Sequence, residues 1–538
     1  MTKTLRCIAP ALFMVALCPW NVTAQSPGIT AVQELRKEAA HRPRRIIFDN
    51  DGNEPVYYCK DASPQALLDC RTTGLLGSQV DTIMYCTWSS GFGYFTHNTK
   101  VGTIFACTDE EPSKGPGSGF SKNKTREFID QGTDPLKIMV DFCREKGIEI
   151  FWSMRMNDTH DAQGAWYSPF LFPPLKKEHP EWLIGSPEKK PKNGTWSAVD
   201  YGVPEIRDIA FRFFEEVCRN YDVDGVELDF FRHLNYFRRP AEGIPASVED
   251  RDNMTGLLRR IRVMADEIGS QRGRPILISV RVPDSVAFCK VLGFDLVRWM
   301  EDDLIDLLVL SCYFRLSPWE DSVRLAHQYG IPVYPCLSET RLRDAEAAGI
   351  RRSVECYRAR AMNVWNAGAD GVYLFNFFNP ASPLWHELGS PDTMKSLDKL
   401  YTTSTRGFGN VESWLKGGKQ YMNLSFVTPD NPRSITPGTS EQIELLVGET
   451  LAEGRPKEIT LKLRFKGVSD PAFYIVQMND RDLENGTLSA PYANYPVEAA
   501  WVIHGTNHIT VNLKPDASAE VLLEDIALSV KYEKEASS

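Results

Sequence analysis

The chain contains no Cys-x-x-Cys pair and no His/Cys group at zinc spacing, so neither a structural metal nor a cofactor is expected. No block of Lys and Arg offsets the formal net charge of −10, which argues against a nucleic-acid partner. After the N-terminus no apolar run is long enough to cross a bilayer, so no membrane span is expected. What remains is 538 residues, 42 % hydrophobic and 25 % charged, a globular chain with room for more than one core.

The N-terminus stands apart from this. Lys3 and Arg6 precede an apolar run, Cys7 to Leu17, too short for a span, and Val22-Thr23-Ala24 offers small residues for cleavage before Gln25. Residues 1–24 therefore read as a signal peptide and the mature chain as secreted or periplasmic. Cys18, between Leu17 and Pro19, is poorly set for lipid attachment. Removing Cys7 and Cys18 from the 12 Cys leaves an even number in a compartment that permits disulfides. Cys86, Cys312 and Cys336 sit in apolar strand-like runs and are expected as buried free thiols. Cys59 and Cys70, in loop-like sequence, are the candidate disulfide.

Between residues 44 and 400, short β-branched runs alternate with longer amphipathic ones. Strands are predicted at Arg45–Asn50, Asp81–Trp88, Ile148–Met154, Gly225–Phe230, Ile276–Val282, Leu307–Tyr313, Pro332–Leu337 and Gly371–Phe377. Helices are predicted at Pro64–Leu76, Asp134–Lys146, Pro204–Arg219, Val248–Gly269, Trp319–Tyr329 and Arg351–Ala367. Near-continuous apolar strands separated by helices mean a parallel sheet buried on both faces. Eight such units fit a closed (β/α)8 TIM barrel, over 25–405, better than an open sheet. Ser89–Thr133 and Asp158–Val203 break the repeat; as loops after the second and third strands they fall on the face where barrels carry their sites. After about residue 405 the pattern changes to alternating segments, Ile459–Phe465, Ala472–Met478, His508–Leu513 and Ile526–Val530. These read as half-buried antiparallel strands, and 410–538 is assigned to a C-terminal β-sandwich.

The run from Tyr221 to His233 is the most informative. Residues i and i+2 of a strand share a face, so Glu227 and Asp229 point the same way. Two such carboxylates are costly to bury unless pairing or chemistry holds them. Polar residues close the other strands as well: Asp49, Asn50 and Asp51; Trp88; Arg155, Asn157, Asp158, His160 and Asp161; Arg281 and Asp284; Ser311 and Tyr313; Glu339; and Asn376 and Asn379. Arg232 and His233 follow the fourth strand. A ring of carboxylates and aromatics suits glycosidic bond cleavage, in which one carboxyl protonates the leaving oxygen and another attacks the anomeric carbon or activates water. Asp229, Glu227 and Glu339 are the expected catalytic groups. Asp49, Asn50, Trp88, Arg155, Asn157, His160, Arg232, His233, Arg281, Asp284, Tyr313 and Asn376 are the expected contacts to a carbohydrate substrate.

The runs Ile47–Gly52, Asp224–His233 and Asp370–Asn376 resemble the family-10-like glycosyl hydrolases of the bacterial glycosidase-like group, over most of residues 44–400. That resemblance implies a sugar-cleaving barrel. Two patterns divide the roles differently. The alpha-amylase pattern puts the nucleophile on Asp229 and a substrate contact on His233, with Glu227 in place of that family's Arg. The clan of barrel glycosidases with two glutamates picks Glu227 and Glu339, although Val226 stands where that clan has Asn. Within the sandwich, Gly505–Leu513 is similar to a segment of galactose-binding-like accessory domains. Two other readings remain: a non-catalytic carbohydrate-binding barrel, and a metal-dependent hydrolase with Asp49, Asp51, Asp229 and Asn376 as ligands. The second is disfavoured because no His cluster is visible in the sequence. N-terminal sequencing of exported protein is expected to begin near Gln25, and retention of Met1 would contradict the signal-peptide reading.

Overall fold

The computed structural model describes residues 28–311, 313–405, 411–467, 470–517 and 519–533; the expected signal peptide and Cys312 lie outside them. Eight parallel strands close into a barrel: β1 Ile46–Asn50, β2 Val80–Tyr85, β3 Glu149–Arg155, β4 Gly225–Asp229, β5 Leu277–Val282, β6 Leu307–Leu310, β7 Val333–Ser338 and β8 Val372–Phe375. Each pairs with its sequence neighbours, and β8 returns to β1 through Ile46↔Val372 and Phe48↔Leu374. Apart from Asp81, every strand residue is buried, as a sheet with side chains inside and helices outside requires.

Local chemistry sets the helix ends. Helix α1, Pro135–Lys146, starts on Asp134, whose side chain accepts from Lys137 N, and stops at Gly147 with φ 69°. Helix α2 is Pro204–Asn220, and α3, Val248–Arg272, opens with a Ser247–Asp250 capping box. The helix predicted over Arg351–Ala367 is two, α4 Ala345–Arg352 and α5 Val354–Asn366. Ser353 divides them, with ψ 151° and a side chain that accepts from Cys356 N.

Three strands end earlier than their apolar runs suggest, and for one reason. Thr87, Trp88 and Ser89 take φ of 45°, 61° and 29° after β2, Ser311 takes 69° after β6, and Asn376 takes 55° after β8. Left-handed backbone cannot continue a ladder.

Among the described residues from 399 on, the strand pairings are antiparallel. One sheet contains β9 Lys399–Thr402, β10 Glu458–Lys466 and β11 Val521–Lys531, with Tyr492–Pro496 and Thr487–Ser489 on β10's far side. The other runs Ser440–Val447, Gly505–Leu513, Tyr474–Met478, Arg481–Leu483. Because β9 pairs with β11, this sheet begins before residue 410, inside the segment assigned to the barrel. Cys86 is a buried free thiol, and Cys336 is buried. Cys59 and Cys70, the candidate disulfide, are also free thiols, in hydrogen-bond contact with each other.

A buried ion pair crosses the seam between the two parts. Arg351 on α4 donates to both oxygens of Asp525 on β11, at 2.9 and 2.6 Å, with neither side chain exposed. Removing one member leaves an uncompensated buried charge, roughly 3–5 kcal/mol. Arg351→Met is expected to lower the unfolding free energy by that order in a urea titration, and Arg351→Met with Asp525→Leu by less. A single variant as stable as wild type would show that the pair holds nothing.

Candidate active site

Residues paired across parallel strands share a face, so register decides which polar side chains enter the barrel. Arg155, Asp229 and Arg281 form one inward row, and Ser153, Glu227 and Ser279 form the row beneath it. Arg281 is the junction. Its Nε donates to Asp229 Oδ1 at 2.9 Å, its Nη2 to Asp229 Oδ2, and its Nη1 to Asp49 Oδ2 at 2.8 Å. Asp229 Oδ1 also accepts from Phe231 N at 2.9 Å, so three of roughly four acceptor positions on this carboxylate are taken. All three side chains are buried.

Below the junction, Glu227 Oε2 accepts from Ser153 Oγ at 2.6 Å and Tyr373 OH at 3.1 Å, while its Oε1 is buried without a partner. Burial, opposed by Arg281 and reinforced by Asp49 and Asp229, pushes the Glu227 carboxyl up to about 8. Burial likewise pushes Asp49 up to about 6, against Arg281 and with Asp51 and Asp229. Asp51 goes the other way: burial is outweighed by Arg155 and Arg232, which hold it well below the carboxylate range. Arg155 donates to Asp51 Oδ1 at 2.5 Å, and Arg232 Nη2 lies 3.9 Å from Oδ2. Arg232 sits 5.3 Å from the Phe375 ring and 5.9 Å from that of Tyr313, with Nε and Nη1 buried and met by no protein acceptor.

The loops after β3 and β4 assemble a group that sequence spacing hides: Asp158, His160 and His233, with ligand-capable atoms within 4.8 Å of one another. A cluster with two His is therefore present although none is visible in the sequence. His160 Nδ1 lies 2.7 Å from Asp158 Oδ2, while Asp158 Oδ1 accepts from Gly91 N at 3.1 Å. His233 Nδ1 accepts from Thr159 N at 3.0 Å, which puts the ring proton on Nε2 and engages the lone pair that faces Asp158. Burial keeps His233 well below its ordinary range, so it is neutral. The trio is a hydrogen-bonded corner, and a cation there would have to displace the Thr159 bond.

Several expected residues do not reach the mouth. Asn50 lies on the outward row of β1, where it donates to Glu54 and accepts from Arg71 Nη1 and Gly52 N, each at 3.1 Å. Glu339 continues the outward row of β7, since Cys336 and Ser338 pair with the inward Tyr373 and Phe375; its charge acts on Tyr357 of α5, behind the strand. Glu339 therefore does not face Asp229. Asn157 ties two loops, donating to Val199 O at 2.8 Å and Asn235 O at 2.5 Å. Asp284 accepts from Leu316 N and Ser317 N, each at 3.0 Å, and so staples the loop after β6 to β5. Trp88 packs 4.7 Å from Phe105 and 5.3 Å from Tyr57 in a small core under the β2 loop, not as an open platform for sugar. Asn376 is half-buried just past β8. Arg155, Arg232, His160, His233, Tyr313, Arg281 and Asp49 do gather at the mouth. Asp51, expected at the strand ends and as a ligand only in the metal-dependent reading, is the most open of the acids bound to its arginines, at 13 % side-chain exposure. The same i, i+2 argument that selected Glu227 and Asp229 pairs it with Asp49.

The fold is a (β/α)8 barrel with carboxylates at its mouth. Residues 112–242 match the family described as glycosyl hydrolase-like 10. No curated protein matches the chain. Solved structures similar to it include a Paenibacillus cycloisomaltooligosaccharide glucanotransferase complexed with cycloisomaltoheptaose, at 10 % identity and TM-score 0.36, over 90 % of this chain and 57 % of that one. An alpha-L-fucosidase isoenzyme from Paenibacillus thiaminolyticus matches at 15 % identity and TM-score 0.39, over 66 % and 49 %. A Geobacillus stearothermophilus alpha-galactosidase in complex with 1-deoxygalactonojirimycin matches at 11 % and 0.35, over 93 % and 58 %. The chain spans only about half to three-fifths of these three proteins.

The Glu227 environment makes stability depend on pH. Its folded value lies above its ordinary 4.5, so the advantage of the neutral carboxyl is complete below about 4.5 and lost as pH rises through about 8. Glu227→Gln stays neutral throughout. It is expected to melt near wild type at about pH 5 and several degrees above it at about pH 9. The same difference at both pH values would show that Glu227 is not held protonated.

Proposed function

We propose that the protein is an exported glycoside hydrolase that cleaves O-glycosidic bonds of an oligo- or polysaccharide, using two carboxylates held on either side of Arg281. The observation that carries this reading is the junction itself. Asp229 from β4 and Asp49 from β1 meet one guanidinium, and their surroundings fit them for different tasks. Asp229, accepting from the arginine and from a backbone N–H, suits the partner that attacks the anomeric carbon or directs water. Asp49, pushed up to about 6, suits the partner that gives its proton to the leaving oxygen, because an acid works best with a pKa near the working pH. Arg232, with two N–H groups that the protein does not engage, and Tyr313 beside it are placed to bind sugar hydroxyls. The signal-like N-terminus supports export.

A glycan panel assayed for new reducing ends tests this. Asp229→Asn is expected to lose roughly 10³-fold or more in turnover with its circular dichroism unchanged. Wild-type activity is expected to fall as pH rises through about 6, where Asp49 loses its proton, and Asp49→Asn to lose that limb along with most activity. Full activity in Asp229→Asn would end the proposal. One observation favours a second reading, a barrel that binds carbohydrate without cleaving it: both Asp229 oxygens are already engaged by Arg281. Glycan binding by wild type and Asp229→Asn alike, with no turnover across the panel, would select it.

A further inference from the structure

We propose that the seam between barrel and sandwich, beside the ends of β6 and β7, holds a binding site for inorganic phosphate, a proposal independent of the glycosidase reading. A cavity of about 90 Å³ lies there, lined in part by Arg315 and Trp319 after β6, Arg360 and Asn363 on α5, and Thr403 and Ser404 just past β9. A single water needs roughly 10–15 Å³ by this measure, so the space takes a tetrahedral oxyanion with room to spare but not a sugar chain.

Its lining is cationic and incompletely paired. Arg360 Nη1 and Asn363 Oδ1 are buried with no hydrogen-bond partner. Arg315 engages Nε on Ser317 O at 3.1 Å and lies 4.2 Å from the Trp319 ring. Among the described residues, no carboxylate lies within the 4.0 Å ion-pair limit of either guanidinium. Asp284 and Glu320 reach Arg315 only through their longer-range field, and Asp284 is occupied by Leu316 N and Ser317 N. The Arg360 charge opposes that of Arg315. Two like charges on one enclosed cavity repel, and an oxyanion between them turns that repulsion into two charge-assisted contacts. Guanidinium groups suit tetrahedral oxyanions because their forked N–H groups match two oxygens at once.

Asn363 narrows the choice of anion. Its Nδ2 already donates to Leu446 O at 3.2 Å, so the unpaired Oδ1 accepts and needs a donor. Hydrogen phosphate carries an O–H to give; sulfate at neutral pH does not. The occupant would join α5 to the chain past β9, beside the Arg351–Asp525 pair that already crosses this seam.

The test is thermal unfolding and calorimetric titration of the mature chain with inorganic phosphate, with sulfate and chloride at matched ionic strength. Wild type is expected to show a saturable rise in melting temperature with phosphate, a smaller one with sulfate, one bound ion per chain, and no rise with chloride. Arg360→Gln removes the repulsion, so in chloride it is expected to melt no lower than wild type while losing the phosphate response. Arg315→Gln serves in its place if that variant does not fold. Arg232→Gln, at the mouth, is expected to keep the response. No phosphate response in wild type, an equal response in Arg360→Gln, or loss of the response in Arg232→Gln would overturn the proposal.

Discussion

The upper half of the barrel is organised by one guanidinium. Arg281 reaches from β5 to carboxylates on β4 and β1, so strands far apart around the barrel share a single buried charge. Charged groups removed from water cost several kcal/mol each unless every donor and acceptor is met with good geometry. Arginine meets that demand where lysine could not, because its planar fork holds Asp229 along one edge while a third N–H stays free for Asp49. The charge balance then spreads outward. Burial raises Asp49 and Glu227 in spite of Arg281, whereas at Asp51 the field of Arg155 and Arg232 outweighs burial and lowers it.

A second buried pair closes the other end of the barrel. Arg44, just before β1, donates to both oxygens of Glu149 at 2.6 and 2.7 Å, and Thr82 adds a bond at 2.7 Å. Between the two ends the inward rows carry hydroxyls, a tyrosine and Glu227 among apolar residues. Such an interior is not the most stable filling for a barrel. What it supplies is fixed placement, since each charged group has its direction set by partners on neighbouring strands.

The framework was legible from the sequence because periodicity reports burial directly: β-branched runs with a helix after each can bury both faces only as a parallel, closed sheet. The site was legible only in part, and the errors share a physical origin. Polar residues at strand ends form a ring only in the right register, because one residue of shift moves a side chain to the opposite face. Asp49 and Asn50 are neighbours, and only Asp49 enters the barrel. Glu339 fails for the same reason, one step past the inward Ser338. Asn157 and Asp284 are polar because they satisfy loop backbone, which no local pattern distinguishes from binding sugar. The Asp158, His160 and His233 corner joins loops after two different strands, so no spacing rule could have found it.

That corner also explains how the β2 loop keeps its strained backbone. Consecutive non-glycine residues at positive φ cost of order 1–3 kcal/mol each and persist only when surrounding contacts over-determine them. Here Trp152 Nε1 donates to Thr87 Oγ1 at 2.9 Å, Thr96 N donates to Thr87 O at 3.0 Å, and Arg155 N donates to Ser89 Oγ at 3.1 Å. Asp158 then takes Gly91 N and Ser90 Oγ on the oxygen opposite His160. Three of these anchors, Trp152, Arg155 and Asp158, come from β3 and the loop after it and one, Thr96, from the β2 loop itself, so the wall after β2 is fixed largely by the next strand. A long loop rich in Gly and Ser looks soft when read alone; held at these points, it stands as a rigid rim beside the carboxylates it borders.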